Sequence, residues 1–241
     1  MTYYTITSGT RDKMADGRQP IIHCVGDSHA NFFTGYDEPQ PEWPGSGIKH
    51  RYEFFRCYRI GPALAYNLRE YNTTTNGREK LWTLIDLLER GSRLMFCFGE
   101  IDCRAHIALR AEKEGRTHEE VVRSVVDRYV SVILEVKRLG LIPLVWNVIP
   151  SAPTDINSRI TVPPEHRFHG TASERNDITR RFNSYLRELV QREGIYFLDL
   201  FDDLFLADGT VDLSFYRDEI HLSQKAMPLV LARLRNDGFL G

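Results

Sequence analysis

The sequence predicts an α/β protein: a three-layer α/β/α sandwich around a central, mainly parallel five-stranded sheet. The sequence has five apolar runs of strand length, and most of them are nearly continuous, which is typical of strands buried on both faces of a parallel sheet. Stretches with a helical spacing of apolar residues separate these runs and favour right-handed crossovers. The composition agrees, because 241 residues with 42% apolar and 27% charged side chains can bury a core without disulfides or metal.

The predicted elements alternate along the chain. Strands are expected at residues 21–25, 54–60, 94–98, 141–149 and 195–200. The clearest helix covers 121–134, where apolar residues recur every three or four positions, and Thr117 with Glu120 forms a capping-box signature before it. A second long helix covers 173–193 and ends at Gly194. Shorter helices are predicted over 62–70, 79–89 and 224–236, the last capped by Ser223.

Two stretches, 30–53 and 151–172, do not fit this alternation and are predicted to be irregular loops. Both follow strand ends, and in open parallel sheets ligands bind beyond the carboxyl ends of the strands. We therefore expect both loops near a functional site, the alternative being surface loops without a direct role. No repeat or linker divides the chain, so a single domain over 1–241 is expected.

Charge and cysteine content argue against several classes of protein. Lys and Arg number 31 and Asp and Glu 33, without a basic run, which argues against binding to nucleic acid or an anionic membrane. The first residues lack the apolar core of a signal peptide and no apolar run could span a bilayer, so a soluble cytoplasmic protein is expected. The irregularly spaced cysteines are interpreted as buried thiols, and no metal or other cofactor is expected.

Two short motifs, one near each end of the chain, carry residues suited to acyl transfer. The first strand breaks into Gly26-Asp27-Ser28, which leaves the Ser28 hydroxyl at a strand end, although a lone serine there is more often a helix cap. Asp218 and His221 lie three residues apart, so Asp218 can orient the imidazole while its other nitrogen faces a nucleophile. Because a serine hydroxyl needs a positioned base, the motifs together predict a Ser-His-Asp triad.

Two rival interpretations of these motifs are excluded by the sequence. Residues 218–221 read Asp-Glu-Ile-His, which has the form of a helicase box. The chain, however, has no GxxxxGK[ST] phosphate loop and is too short for two motor domains. The G-x-S-x-G elbow of the α/β hydrolases is also absent around Ser28, so that architecture is excluded as well.

The chain resembles the SGNH, or GDSL, hydrolases, a family that hydrolyses or transfers esters through a serine in an early Gly-Asp-Ser motif. Residues 26–28 match the first block, with His29 where many members have leucine, and Gly61 resembles the glycine of the second block. Residues 218–221 match the last block, so the blocks cover 20–225. The resemblance implies a flavodoxin-like sheet, catalysis by Ser28, His221 and Asp218, and an oxyanion hole containing the backbone N–H groups of Ser28 and Gly61.

The third block departs from the family pattern of Gly-x-Asn-Asp. Residues 99–102 read Gly-Glu-Ile-Asp and place Ile101 at the asparagine, which in the family donates to the oxyanion. Isoleucine cannot donate, and losing one oxyanion donor typically costs on the order of 10²–10³ in turnover. Arg104 is either a substitute donor or an ion-pair partner of Glu100 or Asp102. The candidate substrate-binding residues at this edge are Asp27, His29, Glu100, Asp102, Arg104 and Asn147.

Other conspicuous side chains have plainer interpretations. His23 is expected in the core and His166 and His169 in solvated loops, while Trp43 and Phe32 either contact a sugar or acyl group or form a small apolar cluster. The resemblance predicts a serine esterase or deacetylase acting on a small soluble ester, such as an O-acetylated carbohydrate or acylated glycan. Two alternatives stay open: an acyltransferase using the same serine, and a non-catalytic module that binds a carbohydrate or protein. The oligomeric state is left open.

Overall fold

The computed structural model describes residues 20–153 and 167–241 and contains the predicted parallel sheet. Its strands are β1 (Ile22–Gly26), β2 (Phe55–Arg59), β3 (Arg93–Cys97), β4 (Ile142–Trp146) and β5 (Tyr196–Leu198). They lie in the order β2-β1-β3-β4-β5, and every neighbouring pair is parallel. Each strand falls on one of the five apolar runs, so the predicted α/β sheet is confirmed.

Helices cover both faces of this sheet. The α-helices of the described ranges are α1 (Gly77–Leu87), α2 (Ile107–Glu114), α3 (His118–Arg138), α4 (Ala172–Arg192) and α5 (Met227–Asn236). The first four contribute to the apolar core on one face of the sheet. On the other face, α5 and a short 3-10 helix over Ser28–Thr34 contribute to a second core. The chain therefore forms the predicted three-layer sandwich.

Alternating strand side chains build the two cores. In β1, Val25 belongs to the core beneath α1–α4, whereas Cys24 belongs to the core beneath α5. Gly26 ends the strand, and a Cβ at this position would lie 2.2 Å from the carbonyl oxygen of Cys97 in β3. Only glycine therefore lets β1 and β3 stay paired to the point where the chain turns away from the sheet.

Capping side chains define where the long helices begin. The predicted capping box of α3 is confirmed: the Glu120 N–H donates to the Thr117 hydroxyl at 3.2 Å, and the Glu120 carboxylate accepts the Thr117 N–H at 2.8 Å. Thr171 and Glu174 form a second capping box, so α4 begins one residue before the predicted position. The Ser223 hydroxyl caps the 3-10 turn that precedes α5, as predicted.

The prediction of a short helix over 62–70 is wrong, because these residues form turns instead of a helix. The reason lies in a distant side chain. The N–H groups of Ala65 and Tyr66 donate to the Asp102 carboxylate at 2.8 and 3.2 Å, and so are not used for a helical hydrogen-bond ladder. A carboxylate far along the chain thereby fixes this segment in a non-helical path.

The predicted irregular loops are only partly irregular. The first residues of the stretch 30–53 belong to the helix Ser28–Thr34, and the chain then reverses at Gly35, which has a φ of +83°. A π-helical turn over Asp102–His106 and the following α2 are also additional to the predicted elements. Within 151–172, residues 154–166, including His166, lie outside the described residues.

Several absences apply to the described ranges. No helix there combines the length and apolarity needed to cross a bilayer. No group of three or more His, Cys, Asp or Glu side chains is placed to hold a metal ion in the same ranges. All four cysteines are buried and unbridged, which confirms their interpretation as buried thiols.

Candidate active site

Ser28 lies where β1 gives way to the helix Ser28–Thr34, at the carboxyl end of a central strand. Asp27 caps this helix, because its Oδ1 accepts the His29 N–H at 2.8 Å. The Asp27 N–H donates to the Cys97 carbonyl of β3 at 3.4 Å. The turn is therefore fixed on both sides of Ser28, and the serine itself remains partly exposed.

His221 brings the two ends of the chain together. Its Nε2 lies 2.8 Å from the Ser28 Oγ, and its Nδ1 lies 3.0 Å from both carboxylate oxygens of Asp218. The N–H groups of Ile220 and His221 donate to Asp218 Oδ1 at 2.8 and 2.7 Å and hold this carboxylate in place. When Nδ1 carries the proton and donates it to Asp218, the lone pair of Nε2 faces the Ser28 hydroxyl.

Burial and neighbouring charges determine the protonation of this pair. Burial raises the pKa of Asp218, but the hydrogen bond and charge of His221 and the N–H of Ile220 outweigh it and bring the pKa to about 2. Burial lowers the pKa of His221 below its usual value, the hydrogen bond to Asp218 opposes this, and the charge of His29 adds to it. Near neutral pH, Asp218 is thus a carboxylate and His221 is neutral, as a general base must be.

Two backbone donors adjoin the end of β1. Within the described ranges, neither the Ser28 N–H nor the Gly61 N–H donates to a protein acceptor. The Ile60 N–H donates to the Gly26 carbonyl at 2.9 Å, which ties the segment carrying Gly61 to the strand end before Ser28. Gly61 has a φ of +96°, a conformation that side-chain-bearing residues rarely adopt. Both N–H groups can therefore donate to a ligand oxygen.

The segment that follows β3 is held by buried side chains. Ile101 is 4% exposed, and its hydrocarbon side chain donates nothing. Burial raises the pKa of Asp102 to about 7, although the hydrogen bonds that its carboxylate accepts from the Ala65 and Tyr66 N–H groups act to lower the pKa. These two hydrogen bonds fix the turns following Gly61. Arg104 Nε donates to Glu100 Oε1 at 2.7 Å, and both side chains are buried. Of the two ion pairs considered for Arg104, the one with Glu100 is formed.

Three other candidate residues, Asp27, His29 and Asn147, form hydrogen bonds within the protein. Asp27 Oδ1 lies 2.9 Å from His29 Nδ1, and His29 Nε2 lies 3.1 Å from the Ile220 carbonyl oxygen. Asn147 Oδ1 accepts the Leu200 N–H at 3.0 Å, and its Nδ2 donates to the carbonyl of the next residue at 2.8 Å. Asn147 thereby joins the ends of β4 and β5. Contact of these side chains with a substrate stays a prediction.

A small cavity beside Ser28 contains side chains that the sequence analysis did not single out. Asn31 lies three residues after Ser28, one turn along the 3-10 helix, so the two side chains lie on the same side of it. The spacing in the sequence could have predicted this. Arg217 directly precedes the Asp-x-x-His motif, and its Nε lies 3.2 Å from Asp218 Oδ2. The cavity is lined by Ser28, Asn31, Phe32, Tyr36, Trp146, Arg217 and His221, together with His29 and Leu222.

The remaining candidates lie in ordinary packing environments. His23 is half-buried with its Nδ1 3.0 Å from the Tyr58 hydroxyl, and burial lowers its pKa to about 4. Trp43 packs edge-on against the same tyrosine with ring centroids 5.9 Å apart, so it forms the apolar cluster given as its alternative. His169 is partly exposed, with Nε2 3.6 Å from a carboxylate oxygen of Glu112.

Comparison with known proteins gives matches among solved structures. No family model and no curated protein matches this chain. A variant of Axe2, an acetyl-xylooligosaccharide esterase from Geobacillus stearothermophilus, superposes with a TM-score of 0.57 at 14% identity, over 92% of this chain and 96% of that one. Est24, a carbohydrate acetylesterase from Sinorhizobium meliloti, gives 0.51 at 17% identity over 91% and 97%.

A proposed lipolytic protein of the G-D-S-L family from Desulfitobacterium hafniense gives a TM-score of 0.52 at 15% identity, over 91% of this chain and 99% of that one. At such low identity these likenesses concern the fold. The fold is therefore SGNH hydrolase-like, as the sequence motifs predict.

Proposed function

We propose that this protein is a serine esterase that forms an acyl-enzyme on Ser28 and removes a small acyl group, foremost acetyl, from a carbohydrate or similar small molecule. The observation that carries the proposal is the hydrogen-bonded series from Ser28 Oγ through His221 to Asp218, with distances of 2.8 and 3.0 Å. A nucleophile, a base and a carboxylate that orients the base are the parts that acyl transfer requires.

In the proposed reaction, Ser28 Oγ attacks the ester carbonyl carbon while its proton passes to His221 Nε2. The negative charge on the former carbonyl oxygen is stabilised by the N–H groups of Ser28 and Gly61. The bond to the alcohol then breaks, and the leaving oxygen takes the proton from His221. Water attacks the acyl-Ser28 in the same way, giving up a proton to His221, and the carboxylic acid departs as Ser28 regains its proton.

The preference for a short acyl group rests on the cavity beside Ser28. Phe32 and Trp146 are both buried and stack with ring centroids 5.5 Å apart, so they form a closed apolar wall. Trp146 is held further by an edge contact with Phe33 at 4.8 Å. Such a packed wall leaves little space for a long acyl chain. The acetyl-carbohydrate esterases among the solved structures support the same substrate class.

Two other functions are compatible with particular features. An O-acyltransferase would use the same acyl-Ser28, with a sugar hydroxyl replacing water in the second half of the reaction. A non-catalytic binding module is favoured by Ile101, which supplies no hydrogen bond where a third oxyanion donor is expected. The intact series of Ser28, His221 and Asp218 argues against it, because binding alone does not require a base directed at a hydroxyl.

The experiment is labelling with a fluorophosphonate probe, which reacts with activated serines. We expect the wild type to be labelled and Ser28→Ala to be unlabelled, with both folded by circular dichroism. Ser131→Ala is the matched control, because this exposed serine on α3 donates its hydroxyl to the Arg128 carbonyl of the same helix. A folded wild type that never labels would support the binding module instead. Products formed from acetyl, butyryl and octanoyl esters, with and without sugar acceptors, then separate the acyl preference and the two transfer reactions.

A further inference from the structure

His29 directly follows Ser28 and is 6% exposed. Its Nδ1 lies 2.9 Å from the carboxylate oxygen Oδ1 of Asp27, and its Nε2 lies 3.1 Å from the carbonyl oxygen of Ile220. Both partners are acceptors and can supply no proton. A neutral imidazole has only one N–H, so both hydrogen bonds form only when both ring nitrogens are protonated. The surroundings of His29 therefore select the imidazolium cation.

The neighbouring charges support this state. Burial alone lowers the pKa of His29, but the charge and hydrogen bond of Asp27, the charge of Glu100 and the Ile220 carbonyl outweigh it and raise the pKa to about 9. Asp27 is fully buried and opposite in charge, so the two side chains, which flank Ser28 in the chain, form a compact ion pair.

The same ring lies against the proposed general base. The ring centroids of His29 and His221 are 5.0 Å apart. Ile220, whose carbonyl accepts from His29, is the residue immediately before His221. The ring of His29 therefore joins Asp27, on the turn that carries Ser28, to the segment that carries His221 nearly 200 positions later.

We propose that His29 is a positioning residue of the esterase site: its imidazolium ties the Ser28 turn to the His221 segment and holds a positive charge beside His221 that adds to burial in keeping this base unprotonated. The proposal rests on the proposed function, because it concerns the base of that reaction. Leucine at this position, as in many SGNH hydrolases, could supply neither hydrogen bond nor charge.

The charged groups facing His221 determine what removal of His29 does. Asp218 favours the protonated form of His221, whereas Arg217 and His29 oppose it. Two unit charges 5.0 Å apart at an effective dielectric constant of ~20 repel each other with an energy that lowers the pKa of one group by about two units. The Asp27 carboxylate is present in both the wild type and the variant, so it does not account for the difference. Loss of the cation should therefore raise the pKa of His221 by at least about one unit.

The test is the pH dependence of kcat/KM for 4-nitrophenyl acetate in wild type and His29→Leu. We expect the acidic limb to move upward by at least about one pH unit, so that activity well below the limb falls about tenfold relative to the plateau. His23→Leu is the matched control, because that histidine, half-buried on β1, has a pKa of about 4 and carries no charge at assay pH. Its limb should stay in place.

A merely structural role of His29 would lower kcat/KM equally at every pH and leave the limb unmoved, and that result would overturn the proposal. A second measurement does not depend on turnover: two-bond ¹H–¹⁵N spectra of histidine-labelled protein from pH 5 to 9. We expect His29 to be doubly protonated at pH 7 in the wild type and the His221 titration to move upward in His29→Leu. A neutral His29 at pH 7, or an unshifted His221, overturns the proposal. If the wild type lacks esterase activity while these titrations hold, the proposed function fails and the charge arrangement stands.

Discussion

Replacement of Asp218 by asparagine tests the proton route most directly, because it exchanges one carboxylate oxygen for an NH₂ group at nearly constant shape. Asp218 Oδ1 accepts the N–H groups of Ile220 and His221 at 2.8 and 2.7 Å, whereas Oδ2 accepts neither of them and lies 3.0 Å from His221 Nδ1 and 3.2 Å from Arg217 Nε. An asparagine therefore keeps its oxygen toward the two backbone donors. Its NH₂ group then faces His221 Nδ1 and donates to it.

The consequence is a change of tautomer in His221. With Nδ1 acting as acceptor, the proton moves to Nε2, which lies 2.8 Å from Ser28 Oγ and can no longer take the serine proton. Turning the amide over would restore the tautomer with the proton on Nδ1, but two backbone N–H groups would then face an NH₂ group. Each of these unsatisfied N–H groups costs about 1–3 kcal/mol. The productive form is thus disfavoured by about 2–6 kcal/mol in total. This corresponds to a loss in kcat of roughly 30-fold to 10⁴-fold.

The assay is steady-state hydrolysis of 4-nitrophenyl acetate, with kcat and KM measured separately and folding checked by circular dichroism. We expect KM to change little, because the exchange acts on the proton and not on the cavity beside Ser28. Asp208→Asn is the matched control, since this exposed carboxylate caps a turn by accepting hydrogen bonds from Thr210. An Asp218→Asn protein that turns over within threefold of wild type would refute the reasoning.

Two further predictions concern the segments around Ser28. Ile101→Asn should raise kcat by about tenfold or more, because it supplies a hydrogen-bond donor of the kind whose loss typically costs on the order of 10²–10³; an unchanged kcat would show that this substitution does not improve the site. Gly26→Ala should lower the free energy of unfolding in urea by about 3 kcal/mol, because the new methyl carbon would lie 2.2 Å from the Cys97 carbonyl oxygen. A loss below about 1 kcal/mol would contradict the close approach of β1 and β3.

The strands and long helices could be predicted because their signals are local. The apolar run at 94–98 predicts β3 to within a residue, and Thr117 with Glu120 marks the start of α3. The segment 62–70 could not be predicted, because the partner of its N–H groups is the Asp102 carboxylate, more than 35 positions away. A long-range side chain there replaces the hydrogen bonds that a helix would make.

The same distinction holds for the candidate site. Asp218 and His221 contact each other within one turn, so their spacing is informative, and the pair Glu100–Arg104 follows from residues four apart on a helical segment. The cavity beside Ser28 is different, because Trp146 reaches it from the end of β4. No local pattern relates that residue to Ser28, and only the strand order brings them together.

The charge of His29 also depends on a contact between residues that are distant in the sequence. From the sequence it is one more polar residue beside a nucleophile, a candidate for contact with a substrate. Its neighbour Asp27 is visible in the motif and allows either a neutral or a charged ring, because one N–H is enough for one carboxylate. The carbonyl of Ile220, 191 positions away, occupies the second nitrogen and selects the cation. Had the fold placed a hydrogen-bond donor there instead, the same residue would be neutral and would exert no field on His221. The charge beside the proposed base is therefore a property of the tertiary structure and not of the motif.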